Sequence, residues 1–242
     1  EFAGDYAEVI IYNRALSLAE QNRVGCYLAQ KYGLSTTYVQ PDGQSYVWVQ
    51  VPELTSNSYI WAYWGGLDTN PPACTVNGST WDASYKGVWH LNQPNALDST
   101  ANRNHGTTSS TGVMDAPGMI DGAQWLNGAG YINCGTGPSL NLPARLTVES
   151  WLRPNTVSGD RSMVGKSAAM TFKTSGTEIR FTTPGVLDHT SSGAGLTTGT
   201  WYYLACSFEE STNSGCLLYK NGAMITASNS SALTGNNNAF QI

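Results

Sequence analysis

Few side chains in this sequence have both the type and the spacing that chemistry requires. Its three histidines (His90, His105, His189) have no nucleophile at a motif spacing, and no G-x-S-x-G elbow is present. Its five cysteines (Cys26, Cys74, Cys134, Cys206, Cys216) are odd in number and show neither CxxC nor Cys/His spacing, which argues against zinc. Cys206 and Cys216 flank the stretch Glu209–Gly215 with the parity of a cross-strand pair. They read either as a disulfide or as two small apolar core residues. Asp98, Asn102 and Asn104 make an oxygen-rich loop, DSTANRN. Such a loop suits a structural calcium ion, or else an Asx-turn. The aromatics offer a different chemistry. Tyr46–Val51 and Tyr59–Trp64 read as two strands, and alternation puts Val47, Val49, Val51, Ile60 and Ala62 on one face. Tyr46, Trp48, Tyr59, Trp61 and Tyr63 fall on the other. Flat aromatic faces stack on the apolar C–H surfaces of sugar rings, so this set is a candidate glycan-binding row, with packing against other protein as the alternative.

These groups must be positioned by a chain of 242 residues, of which 12% are charged and 11% aromatic, with 26 glycines. Length and composition suit a β-rich protein with many turns, one large sandwich or one and a half smaller units. The net charge of -5 and 12 scattered basic residues exclude nucleic acid and anionic membranes as partners. No apolar run of about 18 residues exists, so no membrane insertion is expected. The few lysines and many Asn, Ser, Thr and Trp fit an exported bacterial module, extracellular or at the cell surface.

Along the chain, Tyr6–Tyr12 reads as a strand, and Ser17-Leu18-Ala19-Glu20 has the form of a capping box. A helix follows, with Val24 and Leu28 on one face and Gly33 as its stop. Residues 35–45, with Pro41-Asp42-Gly43, read as a linker. From Trp81 onward short strands alternate with turns: Gly87–Leu91, Gly122–Leu126, Tyr131–Cys134, Leu146–Arg153, Ser162–Lys166, Glu178–Thr182, Thr200–Phe208, Gly215–Lys220 and a last one around Phe240.

The segments GVWHLN (87–92), DSTANRNHGT (98–107), GAQWLNG (122–128), LTVESWLRP (146–154), GTWYYLACSF (199–208) and LLYKNG (217–222) resemble, in this order, the laminin-G-like jelly roll of the concanavalin A-like superfamily. Residues 44–86 look like the tail of a small β domain that precedes such jelly rolls. The fold class implied is all-β, a concanavalin A-like β-sandwich with one short helix near the N-terminus. The resemblance divides the chain into residues 1–34, the closing strand and helix of one jelly roll; 35–80, a linker and partial β module; and 81–242, a jelly roll lacking its last strand. Phe2–Ser17 resembles that last strand, so it is expected to close the sandwich, within one molecule or in a strand-exchanged homodimer.

The resemblance also bears on the candidate sites. The superfamily includes glycoside hydrolases, which need two carboxylates about 5 to 5.5 Å apart for retention or wider for inversion. Related glucanases carry them as E-x-D-x-x-E on one strand, a cluster missing from these 17 acidic residues. The best surviving catalytic pair is Glu149 with Glu8. Jelly rolls of this type hold calcium at a loop like the one carrying Asp98, Asn102 and Asn104. Here Ala7 replaces the usual Asp, leaving Asp5 or Glu8 to contribute. Trp89, Trp125, Trp151 and Trp201 match core positions of the family. The expected function is a non-catalytic carbohydrate-binding or adhesion module holding a polysaccharide or cell-surface glycan. The alternatives are a glycoside hydrolase or lyase using Glu149 and Glu8, and a purely structural repeat.

Overall fold

A computed structural model describes residues 10–242 apart from positions 17, 35–45, 63–69, 71, 93–95, 110, 143, 184, 186 and 234. It divides into two compact units, residues 1–47 and 48–242.

In the first unit, α1 (Leu18–Tyr32) follows the expected helix. Its termination is local chemistry: Gly33 takes φ +65°, a left-handed conformation that glycine adopts without steric cost, and the Leu34 N–H donates back to the Ala29 carbonyl at 2.9 Å. Arg14 pairs with Glu20 of the first turn at 2.6 Å, an exposed ion pair of little energetic weight. The strand expected over Tyr6–Tyr12 lies mostly outside the described residues. Ile10–Tyr12 is described, exposed and not in a strand.

The second unit begins without regular strands. Residues 48–51 and 58–62 are not in strands, and Tyr63 and Trp64 of the expected hairpin lie outside the described residues; between the two stretches lies a turn in which the Thr55 N–H donates to Ser58 Oγ at 2.8 Å. Two strands without further partners are marginal in water, and alternation alone does not supply a third. A short helix, α2 (Cys74–Asn77), ends at Gly78 with φ +81°. Gly87–Leu91 is likewise not a strand, only a bridge between Trp89 and Asp98.

The strands proper are β1 (Thr107–Thr108), β2 (Val113–Pro117), β3 (Gly122–Leu126), β4 (Ile132–Asn133), β5 (Arg145–Leu152), β6 (Asp160–Lys166), β7 (Met170–Ser175), β8 (Glu178–Thr183), β9 (Leu187–Thr190), β10 (Tyr202–Glu209), β11 (Cys216–Lys220), β12 (Ala223–Ser228) and β13 (Phe240–Gln241). Among the described residues they form a seven-stranded sheet in the order β1-β4-β13-β6-β7-β8-β9, a four-stranded sheet β12-β11-β10-β5, and the β2-β3 ribbon. The fold is an all-β sandwich with one short helix near its N-terminus.

The core lies between the two larger sheets. In β7 the alternate residues Met170, Phe172 and Thr174 are buried, and in β10 Tyr202, Leu204, Cys206 and Phe208 are. This period of two is what a strand with one face in the core must show. Phe181 of β8 meets Phe208 of β10 across the sandwich at 4.9 Å between ring centres. Each fully buried Phe contributes about 2 to 3 kcal/mol of apolar burial. Trp89 belongs to this core as expected: it stacks on Phe240 at 5.7 Å and donates from Nε1 to the Asn104 carbonyl at 2.9 Å. A Cβ on Gly87 would collide with the Trp89 indole, which fixes the glycine of the GVWHLN motif.

Cys206 and Cys216 are both fully buried and are free thiols, so the disulfide alternative is set aside in favour of the core one. The register explains this: Cys206 faces Leu218 and Cys216 faces Phe208, so the two are diagonal rather than opposed. Diagonal separations of about 7 to 8 Å exceed what a disulfide spans without backbone movement.

Candidate functional site: an aromatic face on the four-stranded sheet

The side of the four-stranded sheet turned away from the core is built by β5, β10 and β11. Strand alternation sends Thr147, Glu149 and Trp151 of β5 outward, along with Tyr203 and Ser207 of β10 and Tyr219 of β11. Register aligns them: Tyr203 faces Trp151, and Ala205 sits between Glu149 on one side and Tyr219 on the other. The small Ala205 side chain makes a floor rimmed by larger groups. Trp151 is 40% exposed, which corrects its assignment to the core. Position along a strand decides this: Leu146 of β5 is buried, and Trp151, an odd number of residues away, must point the other way.

Trp151 and Tyr203 lie 5.4 Å apart between ring centres, tilted by 45°. The Tyr203 hydroxyl donates to Glu149 Oε2 at 2.6 Å. Burial pushes the Tyr203 phenol upward, and the bond to Glu149, the charge of Glu149 and the Tyr85 phenol add to this. The phenol therefore stays protonated and remains a donor throughout the neutral range. Tyr203 is also fixed from behind. The tight turn Lys220-Asn221-Gly222-Ala223 has positive φ at both central residues, 51° and 82°. Asn221 accepts from the Tyr203 N–H at 3.0 Å and donates its own N–H to the Tyr203 carbonyl at 2.7 Å. The KNG sequence thus pins the ring that carries the site.

Glu8, the proposed catalytic partner of Glu149, lies outside the described residues, as do Tyr63 and Asp5. Glu149 itself is engaged by the Tyr203 phenol. Thiol chemistry is also disfavoured: burial, then the charge of Asp98, pushes Cys134 up to about 12.

Of the expected aromatic row, Tyr46, Trp48, Tyr59 and Trp61 are described and all are exposed. Tyr59 and Trp61 stand 79% and 76% exposed. Trp48 instead joins a cluster that sequence spacing did not reveal. It stacks on His90 at 4.9 Å and 24°, and approaches Trp81 at 5.7 Å; Trp81 meets Tyr85 edge-on at 5.1 Å. Trp48 and Tyr85 keep large parts of their rings in solvent. Burial lowers His90, so its imidazole is neutral at pH 7.

The loop read as a calcium site holds this cluster in place. Asp98 is buried, and its carboxylate accepts four hydrogen bonds: from the Val88 and Thr100 N–H groups at Oδ1, and from the Thr100 hydroxyl and Asn104 N–H at Oδ2. Asn102 donates its amide to the carbonyls of Tyr85 and Lys86, and Asn104 donates to Lys86 and to Ser139 Oγ. Calcium takes oxygen lone pairs. Here the lone pairs of Asp98 are engaged by donors, and Asp5 and Glu8, the further expected ligands, lie outside the described residues. Among the described residues no group of three or more His, Cys, Asp or Glu side chains could hold a metal. The arrangement is the Asx-turn alternative, extended into a brace for residues 85–90. A second Asx-type turn positions Trp81 and Tyr85: Asp82 accepts from the Ser84 hydroxyl and N–H, which hold its carboxyl below the usual range, and its own carbonyl accepts from the Tyr85 N–H at 3.1 Å.

The fold is that of a concanavalin A-like jelly roll. Residues 126–242 match the laminin-G-type family described as the concanavalin A-like lectin/glucanases superfamily. Among solved structures, the chain is similar to domain 4 of AbnA, an extracellular arabinanase from Geobacillus stearothermophilus, in complex with arabinotriose. The identity is 20% and the TM-score 0.52, over 65% of this chain and 82% of that one. It is also similar to the binding domain of Paraclostridial Mosquitocidal Protein 1, at 16% identity and TM-score 0.50, over 64% of this chain and 42% of that one. At these identities the likeness is one of fold. No curated protein matches the chain. Among the described residues no helix is long and apolar enough to cross a membrane.

Proposed function

We propose that this chain is a non-catalytic carbohydrate-binding module that holds a polysaccharide or cell-surface glycan and works outside a bacterial cell. The observation that carries this reading is the outward face of β5 and β10. There the Trp151 and Tyr203 rings adjoin at 5.4 Å and the Tyr203 hydroxyl holds Glu149 at 2.6 Å. A sugar ring needs both halves of that surface. Its C–H face packs on the indole, and its hydroxyls bond to the carboxylate and to water. Glu149 serves here as a hydrogen-bond acceptor oriented by Tyr203 rather than as an acid or nucleophile. The similarity to a domain whose structure holds arabinotriose supports a glycan as the ligand and an extracellular setting.

The test is affinity electrophoresis through gels carrying arabinan, xylan, galactan or β-glucan. The intact protein is expected to be retarded by at least one of them without releasing reducing sugar. Trp151→Ala should weaken retardation by about tenfold or more, the usual weight of a buried aromatic anchor, with an unchanged melting curve. Absence of retardation by every glycan, or an unaltered Trp151→Ala, contradicts the reading.

The homodimer belongs to the same proposal. β5 ends the four-stranded sheet, with β10 on one side and no strand on the other among the described residues. A strand supplied by residues Phe2–Tyr12 of a second copy would satisfy that edge.

A further inference from the structure

Two arginines stand on the outward side of β5, one at each end, and their surroundings differ. Arg145, Thr147, Glu149 and Trp151 alternate along the strand, and the same period of two carries the outward side on to Arg153, one residue past its end. Arg145 is paired with Glu209 of β10 at 3.2 Å. Arg153 has no such partner. Among the described residues it enters no ion pair, and its guanidinium lies over the Trp201 ring, 5.3 Å from the ring centre.

The backbone pairing of β5 with β10 continues beneath this contact. Leu152 faces Tyr202, and the Gly199 N–H donates to the Pro154 carbonyl at 2.8 Å, so Arg153 and Trp201 occupy the rung between. Tyr202 is buried, Trp201 half-buried and Arg153 exposed, which puts the last two on the side of Trp151 and Tyr203 rather than in the core. Alternate residues of a strand are about 7 Å apart, so Arg153–Trp201 and Trp151–Tyr203 are neighbouring rungs of one surface. Stacking on an indole favours a cation and fixes the plane of the guanidinium, yet leaves its edge N–H groups to the solvent. A planar fork held in this way is matched to a carboxylate, which it can bond twice.

We infer that the face of β5 and β10 takes a glycan bearing a uronic acid, with a sugar C–H surface on Trp151 and the uronate carboxylate paired to the Arg153 guanidinium. This rests on the carbohydrate-binding reading above and names the class of sugar. Glu149 stands four residues from Arg153, about 13 Å along the strand, too far to neutralise it. An acceptor for hydroxyl groups and a partner for a carboxylate therefore stand on opposite sides of the Trp151 ring. The net charge of -5 sets the kind of polymer. A polyuronate, charged at every unit, is repelled by the molecule as a whole, whereas acidic branches on a neutral backbone bring one carboxylate to one arginine.

Affinity electrophoresis of the full chain through glucuronoxylan and through a glucuronate-bearing arabinogalactan, each beside its carboxyl-reduced form, tests this. Reduction turns the carboxylate into a primary alcohol and leaves the rest of the polymer as it was, so the comparison needs no variant. At least one acidic polymer should hold the protein about tenfold more tightly than its reduced form, the weight of a charge-assisted hydrogen bond. Added salt should erode that preference. Arg153→Gln, with a melting curve matching the unsubstituted protein, should bring the acidic form down to the level of the reduced one. Arg153→Lys keeps the charge without the fork and should retain only part of the preference. Trp151→Ala, by contrast, should weaken both forms alike. Equal retention of the two forms, a preference that survives Arg153→Gln, or retention by neutral glycans alone overturns the uronate and leaves the Trp151–Tyr203 face intact. Tighter retention by a sulfated galactan than by either uronate-bearing polymer overturns it as well. Failure of every glycan, acidic or neutral, to retard the unsubstituted protein overturns the carbohydrate reading beneath it.

Discussion

Asp98, Asn102 and Asn104 stand out in the sequence as clustered oxygens, and the structure gives them a different use. A sequence shows which atoms are present but not which donors reach them. Four N–H and O–H groups converge on Asp98, so the loop braces residues 85–90. Trp151 is the opposite case, a residue hidden by its surroundings in sequence. LTVESWL reads as a core strand, and only the parity counted from buried Leu146 shows the indole facing out. His189 carries a prediction at this scale. It is buried against Phe208, with Nδ1 bonded to Ser228 Oγ at 2.9 Å and Nε2 without a partner among the described residues. Burial lowers its protonation relative to the ordinary value, partly offset by Asp188. A histidine held neutral in the fold stabilises it above about pH 6.5, and that contribution is lost as pH falls through the lowered value. Asp160 is held below the usual carboxylate range by hydrogen bonds from Lys173 and Ser175, so its own contribution persists to more acid conditions. The melting midpoint is therefore expected to fall between about pH 7 and pH 5, and His189→Asn should flatten part of that slope. An equal slope in both proteins contradicts the assignment.

At the scale of elements, the strands legible in the sequence are those with clean alternation and a turn signal beside them. β3, β5, β8, β10 and β11 fall within two residues of their expected ends, and the KNG turn marks the β11–β12 hairpin. β7, β9 and β12 were not legible. The MTFKTS stretch is short and ringed by serine and glycine, and its strand character comes from pairing with β6 and β8 rather than from its own pattern. The same limit works in reverse at Tyr46–Val51, where alternation is clear and no strand forms for want of partners. β5 is the element with a prediction attached. Eight residues long and with no strand on one side among the described residues, it is the edge at which strand addition is expected. Light scattering after size exclusion should show a dimer, and replacing Val9 and Ile11 by lysine should return it to monomer. A monomer at every concentration contradicts strand exchange.

For the whole molecule, six short motifs in family order carried the fold, because each marks a turn or a core contact that a jelly roll cannot form without. The site was far less legible. Its residues come from strands distant in sequence, and only the closed sandwich brings Glu149, Trp151 and Tyr203 onto one face. The central claim is that this face, and not the sandwich interior, meets a glycan. Amide and indole nitrogen-15 spectra recorded during titration with the glycan that retards the protein test it most directly. Substitution of single tryptophans assigns each indole signal. The indole signal of Trp151 should shift in a saturable manner, while that of Trp89, bonded inside the fold to the Asn104 carbonyl, should stay in place. A stationary Trp151 signal under saturating glycan would contradict it.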